Sequence, residues 1–200
     1  MTAYQSSETV EVVAEPRRRI PGEEGIWVFV LGDMVIFALF FGTFMYSRAK
    51  NPEVFAQDHA SLSTALGTIN TVLLLTSSLL VVLGVRKVMS RDHASAPRLF
   101  GGALLCGLAF ICVKAAEWSH LFGAGKSVGG GEYYSYYYMF TGIHLLHVVL
   151  GCIVLIKLIV DARRPMLTGQ QIMLSEAGGI FWHMVDLLWV VLFALFYLMR

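Results

Sequence analysis

The chain has 200 residues, 56% hydrophobic and 14% charged, with 15 basic and 14 acidic side chains, six histidines and a formal net charge of +1. A soluble domain carries about 25% charged residues. So few charges cannot clothe a globule, and the composition excludes a soluble enzyme, a disulfide scaffold and a disordered chain. A net charge near zero gives no reason to expect a nucleic-acid partner. Charges cluster in short segments between long apolar runs, and only helices satisfy the backbone inside such runs in lipid. The expected fold class is therefore all-α: a polytopic membrane bundle of five transmembrane helices.

Residues 1–21 are polar, with Glu8, Glu11 and Glu15 ahead of Arg17, Arg18 and Arg19. They lack the apolar core of a signal peptide and read as a disordered cytoplasmic tail. Residues 22–200 read as the transmembrane domain. The first apolar run covers about 25–47 and carries Asp33 about two turns in. The second, about 64–85, carries a polar stripe of Asn70, Thr71, Thr76, Ser77 and Ser78. The third, about 99–120, ends with Lys114, Glu117 and His120. An external loop over 123–131 contains Gly125-Lys126-Ser127, which looks like the end of a phosphate-binding loop. That pattern needs a glycine where His120 stands and a preceding strand. The tyrosine run 133–138, interrupted by Ser135, is predicted to form an aromatic belt at the outer interface. The fourth run, about 134–160, carries His144 and His147. The fifth, about 177–199, carries His183 and Asp186, flanked by Trp182 and Trp189. Cys106, Cys112 and Cys152 lie inside spans without a CxxC spacing and read as inert thiols.

Basic residues orient the bundle. Nine lie on the side of the N-terminus (Arg17, Arg18, Arg19, Arg86, Lys87, Arg91, Arg98, Arg163 and Arg164) and four on the other (Arg48, Lys50, Lys126 and Arg200). The positive-inside bias puts the N-terminus in the cytoplasm and the C-terminus outside. Five spans require the two ends to lie on opposite sides, so count and charge bias agree.

Ionisable residues within spans are costly, so each is a functional candidate. Each also has a structural reading. Lys114 and Glu117 can pair at i, i+3, or Lys114 can snorkel. His183 and Asp186 can hydrogen-bond each other or neighbouring helices. Ser77, Ser78, Gly142 and Gly151 can let helices approach closely. Asp33 has no basic residue within a turn, so its carboxyl is protonated, paired across helices or reached by water. It is the proton-handling candidate, with a structural hydrogen bond as the competing reading. His144, His147, His183, Asp33, Glu117 and Asp186 also offer donors for a metal or haem. A di-iron bundle needs Glu-x-x-His on two helices, and Glu117-x-x-His120 occurs once. A stand-alone haem- or metal-binding membrane protein stays open as the alternative.

Four segments carry a resemblance. Residues 178–189, with Trp182-His183-Met184-Val185-Asp186-Leu187-Leu188-Trp189, resemble W-H-F-x-D-x-x-W in the last helix of haem-copper oxidase subunit III. Residues 141–151 resemble that family's T-G-x-H-x-x-H-V-x-x-G. Asn70-Thr71 with Ser77-Ser78 is similar to its N-T-x-x-L-x-x-S-S stripe, and Ala116-Glu117-Trp118 to its A-x-E-Y/W. The five-helix count resembles the short branch, which lacks the first two helices. The opening 21–33 looks most like NorE-type proteins associated with nitric oxide reductase. Much of the family has Ser-Glu at Gly32-Asp33, and that acid is linked to proton uptake. The resemblance implies an accessory, non-catalytic subunit in a bacterial inner membrane. Its partners would be subunits I and II of a respiratory oxidase or nitric oxide reductase complex. Haem and copper would sit in those partners, with none bound directly and no metal ligands in this chain. Phospholipid would occupy a cleft. Asn70, Glu117, His144, His147, His183, Asp186, Trp182 and Trp189 would form a structural or lipid-related network.

Overall fold

The computed structural model describes residues 24–53, 55, 62–92, 94–164 and 166–199. The expected tail, 1–21, lies outside them. Among the described residues five helices are long and apolar enough to cross a membrane. They are α1 (Glu24–Lys50), α2 (Thr64–Met89), α3 (Ala96–Gly123), α4 (Glu132–Ala162) and α5 (Gly169–Phe193), the last continued by a π-helical turn over Ala194–Leu198. The expected helices are all present.

Most helices run past the apolar stretches, because caps and not hydropathy set their ends. α5 differs most from expectation: it starts at Gly169, not near 177. Thr168 and Gln171 form a capping box, the Thr168 hydroxyl accepting from the Gln171 amide and the Gln171 side chain accepting from the Thr168 amide. This T-x-x-Q signal holds two further turns that are too polar to register as membrane span. α2 begins on Ser63, whose hydroxyl accepts from the Leu66 amide. It ends with Arg91 at φ 58 while the Asp92 amide reaches back to the Lys87 carbonyl, a Schellman closure. α3 ends the same way on Gly125 at φ 75, with the Lys126 amide on the Leu121 carbonyl. The phosphate-loop lookalike is thus a helix C-cap, where glycine takes the left-handed backbone at no steric cost.

α2, α3, α4 and α5 close a ring, each packed on the next and α5 back on α2. The buried side of α2 is Gly67, Asn70, Leu74, Ser77, Val81, Gly84 and Val88, the seven-residue seam of left-handed helix packing. Glycine permits the closest approaches: a Cβ on Gly151 would lie 2.6 Å from the Trp182 ring, and one on Gly67 2.8 Å from Tyr197. Gly142 does not serve this purpose, since a Cβ there would meet Trp118 at an ordinary 3.7 Å. Ser77 ties α2 to α3 by donating to the Ala103 carbonyl at 2.9 Å.

α1 lies outside the ring. Of its most apolar 18-residue window 17% is buried, against 61% for α5. It attaches through aromatic rings: Phe40, Phe41 and Phe44 each pack on Phe140 of α4, and Phe44 lies 4.9 Å from the Phe196 ring of the π-turn. That turn buries three consecutive residues, Leu195, Phe196 and Tyr197. A regular α-helix spreads three successive side chains over more than half its circumference. The wider turn lets all three face the interior.

Candidate functional site

Two clusters of ionisable side chains lie inside the spans. The first joins α3, α4 and the π-turn. Lys114 is 1% exposed and Glu117 4%. The Lys114 ammonium donates to Glu117 Oε2 at 2.9 Å, to the Tyr137 hydroxyl at 2.8 Å and to the Tyr197 hydroxyl at 2.9 Å. All three of its protons are thereby used. Tyr197 donates onward to Glu117 Oε1 at 2.7 Å. The ammonium also lies 4.7 Å from the Tyr137 ring centre and 5.1 Å from that of Trp189, within cation–π range. Snorkelling is thus overturned: the acceptors are in the interior, so the side chain stays there.

The belt reading of the tyrosines needs correction. Tyr133, Tyr134, Tyr137 and Tyr138 are buried in the bundle. Tyr137 holds Lys114, Tyr138 donates to the Lys126 carbonyl at 2.8 Å, and Tyr136 shares a 3.0 Å hydrogen bond with Ser47 of α1. A lysine inside a span needs acceptors, and a run of phenols on the next helix is a legible source. Tyr197 lacked any such signal, because it faces inward only through the π-turn.

The second cluster joins α1 to α4. His147 Nε2 lies 3.3 Å from Asp33 Oδ1, the side chains being 11% and 13% exposed. His147 Nδ1 lies 2.9 Å from the Ile143 carbonyl, which only accepts, so Nδ1 carries a proton and donates it. Nε2 is left facing a carboxyl oxygen. Two arrangements satisfy that contact: a neutral imidazole with a protonated carboxyl, or an imidazolium with a carboxylate. They differ by the position of one proton between Nε2 and Oδ1. Asp33 Oδ2 is buried without a hydrogen-bond partner. Of the three states open to Asp33 in sequence, pairing across helices is the observed one.

The remaining candidates scatter. His144 is fully buried against Phe110 and Trp189, and neither ring nitrogen has a hydrogen-bond partner. Trp189 donates to Thr71 at 3.1 Å, fastening α5 to α2. Trp182 is buried beside Gly107 and Gly151, and its indole N–H has no partner. Asn70 is buried with both amide atoms unpartnered. His183 turns to Ser78, with Nδ1 and Oγ 2.6 Å apart. Its separation from Asp186 Oδ2 is 4.0 Å, too long for a hydrogen bond. Of the two pairings the sequence leaves open for His183, the one to a neighbouring helix is observed. Among the described residues no three His, Cys, Asp or Glu side chains converge as metal ligands would.

Outside the spans, Asp92 lies in the α2–α3 turn. It accepts from the Ser95 amide at 3.1 Å and pairs with Lys87 at 3.1 Å. The Ser95 hydroxyl and the Lys87 ammonium hold its carboxyl down at about 2.

A ring of four membrane-length helices with a fifth outside it, carrying buried acid–base pairs, defines a multi-pass membrane protein of the helical-bundle class. Residues 19–200 match the family description "Cytochrome c oxidase subunit III", and the chain belongs to that family. It is 32% identical over 181 residues to a "Heme-copper oxidase subunit I+III" of Aeropyrum pernix, a match covering 86% of this chain and 22% of that protein. It is 31% identical over 183 residues to a "Cytochrome c oxidase subunit 3" of Alkalihalophilus pseudofirmus, covering 88% of this chain and 85% of the relative. It is 27% identical over 179 residues to one of Synechocystis sp., covering 88% and 74%. The chain thus spans about a fifth of the length of the Aeropyrum protein and most of the other two.

Proposed function

We propose that this chain is the accessory third subunit of a haem-copper respiratory oxidase. It buttresses the subunit that holds the redox metals, orders lipid around the bundle, and assists proton uptake through Asp33 and His147. The N-terminus is cytoplasmic and the C-terminus external. Haem and copper belong to the partners, and this chain binds neither. Family membership supports the accessory role, as does the Aeropyrum relative that carries subunits I and III in one chain.

The proton role rests on one observation, the Asp33–His147 contact. An acid and an imidazole share it at a depth where an isolated ionisable group is expensive. Asp33 lies eight residues after Gly25, roughly 12 Å into the membrane at the rise of an α-helix. A proton can occupy either atom there without creating an isolated charge. In the purified complex, Asp33→Asn and His147→Gln should leave assembly intact, and should slow proton uptake or shorten active lifetime during turnover. Unchanged uptake and unchanged inactivation kinetics in both variants would sink the proton role.

A NorE-type association with a nitric oxide reductase complex is the second reading. It is favoured by the opening 21–33, where Gly32-Asp33 replaces the Ser-Glu of much of the family. Affinity purification in mild detergent, with identification of the comigrating large subunit, decides between the two. A Soret band or stoichiometric metal in the singly expressed chain would instead establish a stand-alone haem or metal protein and reject both.

A further inference from the structure

α1 lies in the groove between α4 and α5. The Phe181 ring of α5 sits 6.0 Å from the Phe29 ring of α1 and 6.4 Å from the His147 ring of α4. As the first and fifth of five alternating spans, α1 and α5 run in the same direction. One turn back from the Phe29–Phe181 contact, Gly25 stands level with Ala177. α1 begins at Glu24, whereas α5 continues back to Gly169, roughly 12 Å further at the rise of an α-helix. The groove therefore runs on past the start of α1, and there it widens into a cavity of about 330 Å³.

The cavity lining carries both signs of charge. Leu174 and Ala177 supply apolar surface, and Lys157, Asp161, Gln170 and Gln171 supply polar groups. Among the described residues Lys157 forms no hydrogen bond or ion pair. Asp161 is buried, and Arg164 and Gln171 both engage its Oδ1, at 3.4 and 3.5 Å. Asp161 stands one turn from Lys157 on the same helix. A lipid phosphate brought to Lys157 would thus meet a carboxylate close by, at a cost in like-charge repulsion.

The residues ahead of α1 carry what this lining calls for. Arginines stand at 17, 18 and 19, followed by Ile20, Pro21, Gly22 and Glu23. Val30, Phe37 and Phe44 form the buried line of α1 at seven-residue spacing, and Glu23 stands seven before Val30. That register puts the approach to α1 on its groove side. Pro21 favours an extended backbone at Ile20, and residues 20–23 then reach roughly 13 Å, the length of the continuation. A short tether also holds this segment at about millimolar effective concentration, ahead of the same segment from a second copy.

We propose that residues 17–23 of this chain fill the continued groove. Ile20 packs on Leu174 and Ala177, Glu23 pairs with Lys157, and the arginines face Asp161. The segment straps α1 to the ring at the end nearer Asp33, and so limits how far α1 can lean away from His147. This goes beyond the accessory-subunit reading and does not depend on it.

The test places a diazirine analogue of leucine at position 174 of the full chain, purified in mild detergent with whatever copurifies. Ile153, exposed on α4, is the reference position. Illumination should join position 174 to the peptide containing Ile20, and position 153 to lipid. Mixed heavy- and light-isotope chains should show the 174 crosslink to lie within one copy. Lys157→Gln should lower its yield about threefold, the weight of one exposed ion pair, and Ile20→Asp should lower it further. Lipid adducts alone at position 174 would overturn the strap. So would crosslinks to another subunit or between copies, or a yield unchanged in both variants.

Discussion

The two buried acid–base clusters make a useful contrast. Around Lys114 and Glu117 every proton of the ammonium is donated, and both carboxylate oxygens accept. Around Asp33 and His147 there is one 3.3 Å contact, and Asp33 Oδ2 accepts nothing. The first cluster ties together three elements of the ring. The second lies between the ring and the loosely attached α1. A closed network resists a change in protonation, because every alternative breaks several bonds at once. An open pair can exchange its proton at little cost to the fold. The contrast teaches that burial of ionisable groups inside a membrane is not one phenomenon: one cluster uses every donor and acceptor it has, the other leaves a carboxyl oxygen without a partner.

The largest effect should come from Lys114→Met. Removing one partner of a buried pair leaves the other uncompensated, at about 3–5 kcal/mol. Denaturation of the detergent-solubilised protein should register this as a large loss, partly recovered when Glu117→Met is added. A single-variant loss below about 1 kcal/mol would show that the cluster is not the staple described. Tyr197→Phe comes next. It removes an acceptor from Lys114 and a donor from Glu117, and hydrogen bonds to charged groups are worth about 2 kcal/mol. The same denaturation assay should show a loss between those of the other variants. Asp33→Asn should cost only about 0.6 kcal/mol, while its effect appears in proton uptake. An Asp33→Asn protein as unstable as Lys114→Met would erase the contrast.

Asp92 supplies the smallest effect and an exposed reference. Its carboxyl is held near 2, below the ordinary 3.8. Its stabilising contribution is therefore present above the ordinary value and lost as pH falls through about 2. Solvent screening keeps that contribution small. Asp92→Asn should shift the melting temperature slightly at neutral pH and not at all near pH 2. A shift that grew on acidification would contradict the assignment.

Much of the architecture was legible beforehand. Hydropathy marked all five helices, because backbone groups in lipid have no partner but one another. The scarcity of charge singled out Asp33, Lys114 and Glu117, because such groups are expensive wherever they are buried. The start of α5 was misplaced by two turns because the cap Thr168-x-x-Gln171 is a local polar signal that a search for apolar runs discards. The role of the tyrosine run was misjudged for a related reason. An aromatic residue at a helix end suits a headgroup or a protein interior equally, and only the neighbouring helix chooses.

What the sequence by itself determined is the set of helices, their membrane character and the short list of costly side chains. Those follow from transfer free energies, which belong to each residue alone. Tertiary structure decided the partners. It gave Asp33 to His147, His183 to Ser78 rather than to Asp186, and Lys114 to Tyr137 and Tyr197 as well as to Glu117. A hydrogen bond depends on distance and direction between elements far apart in the chain, and spacing along one helix specifies neither.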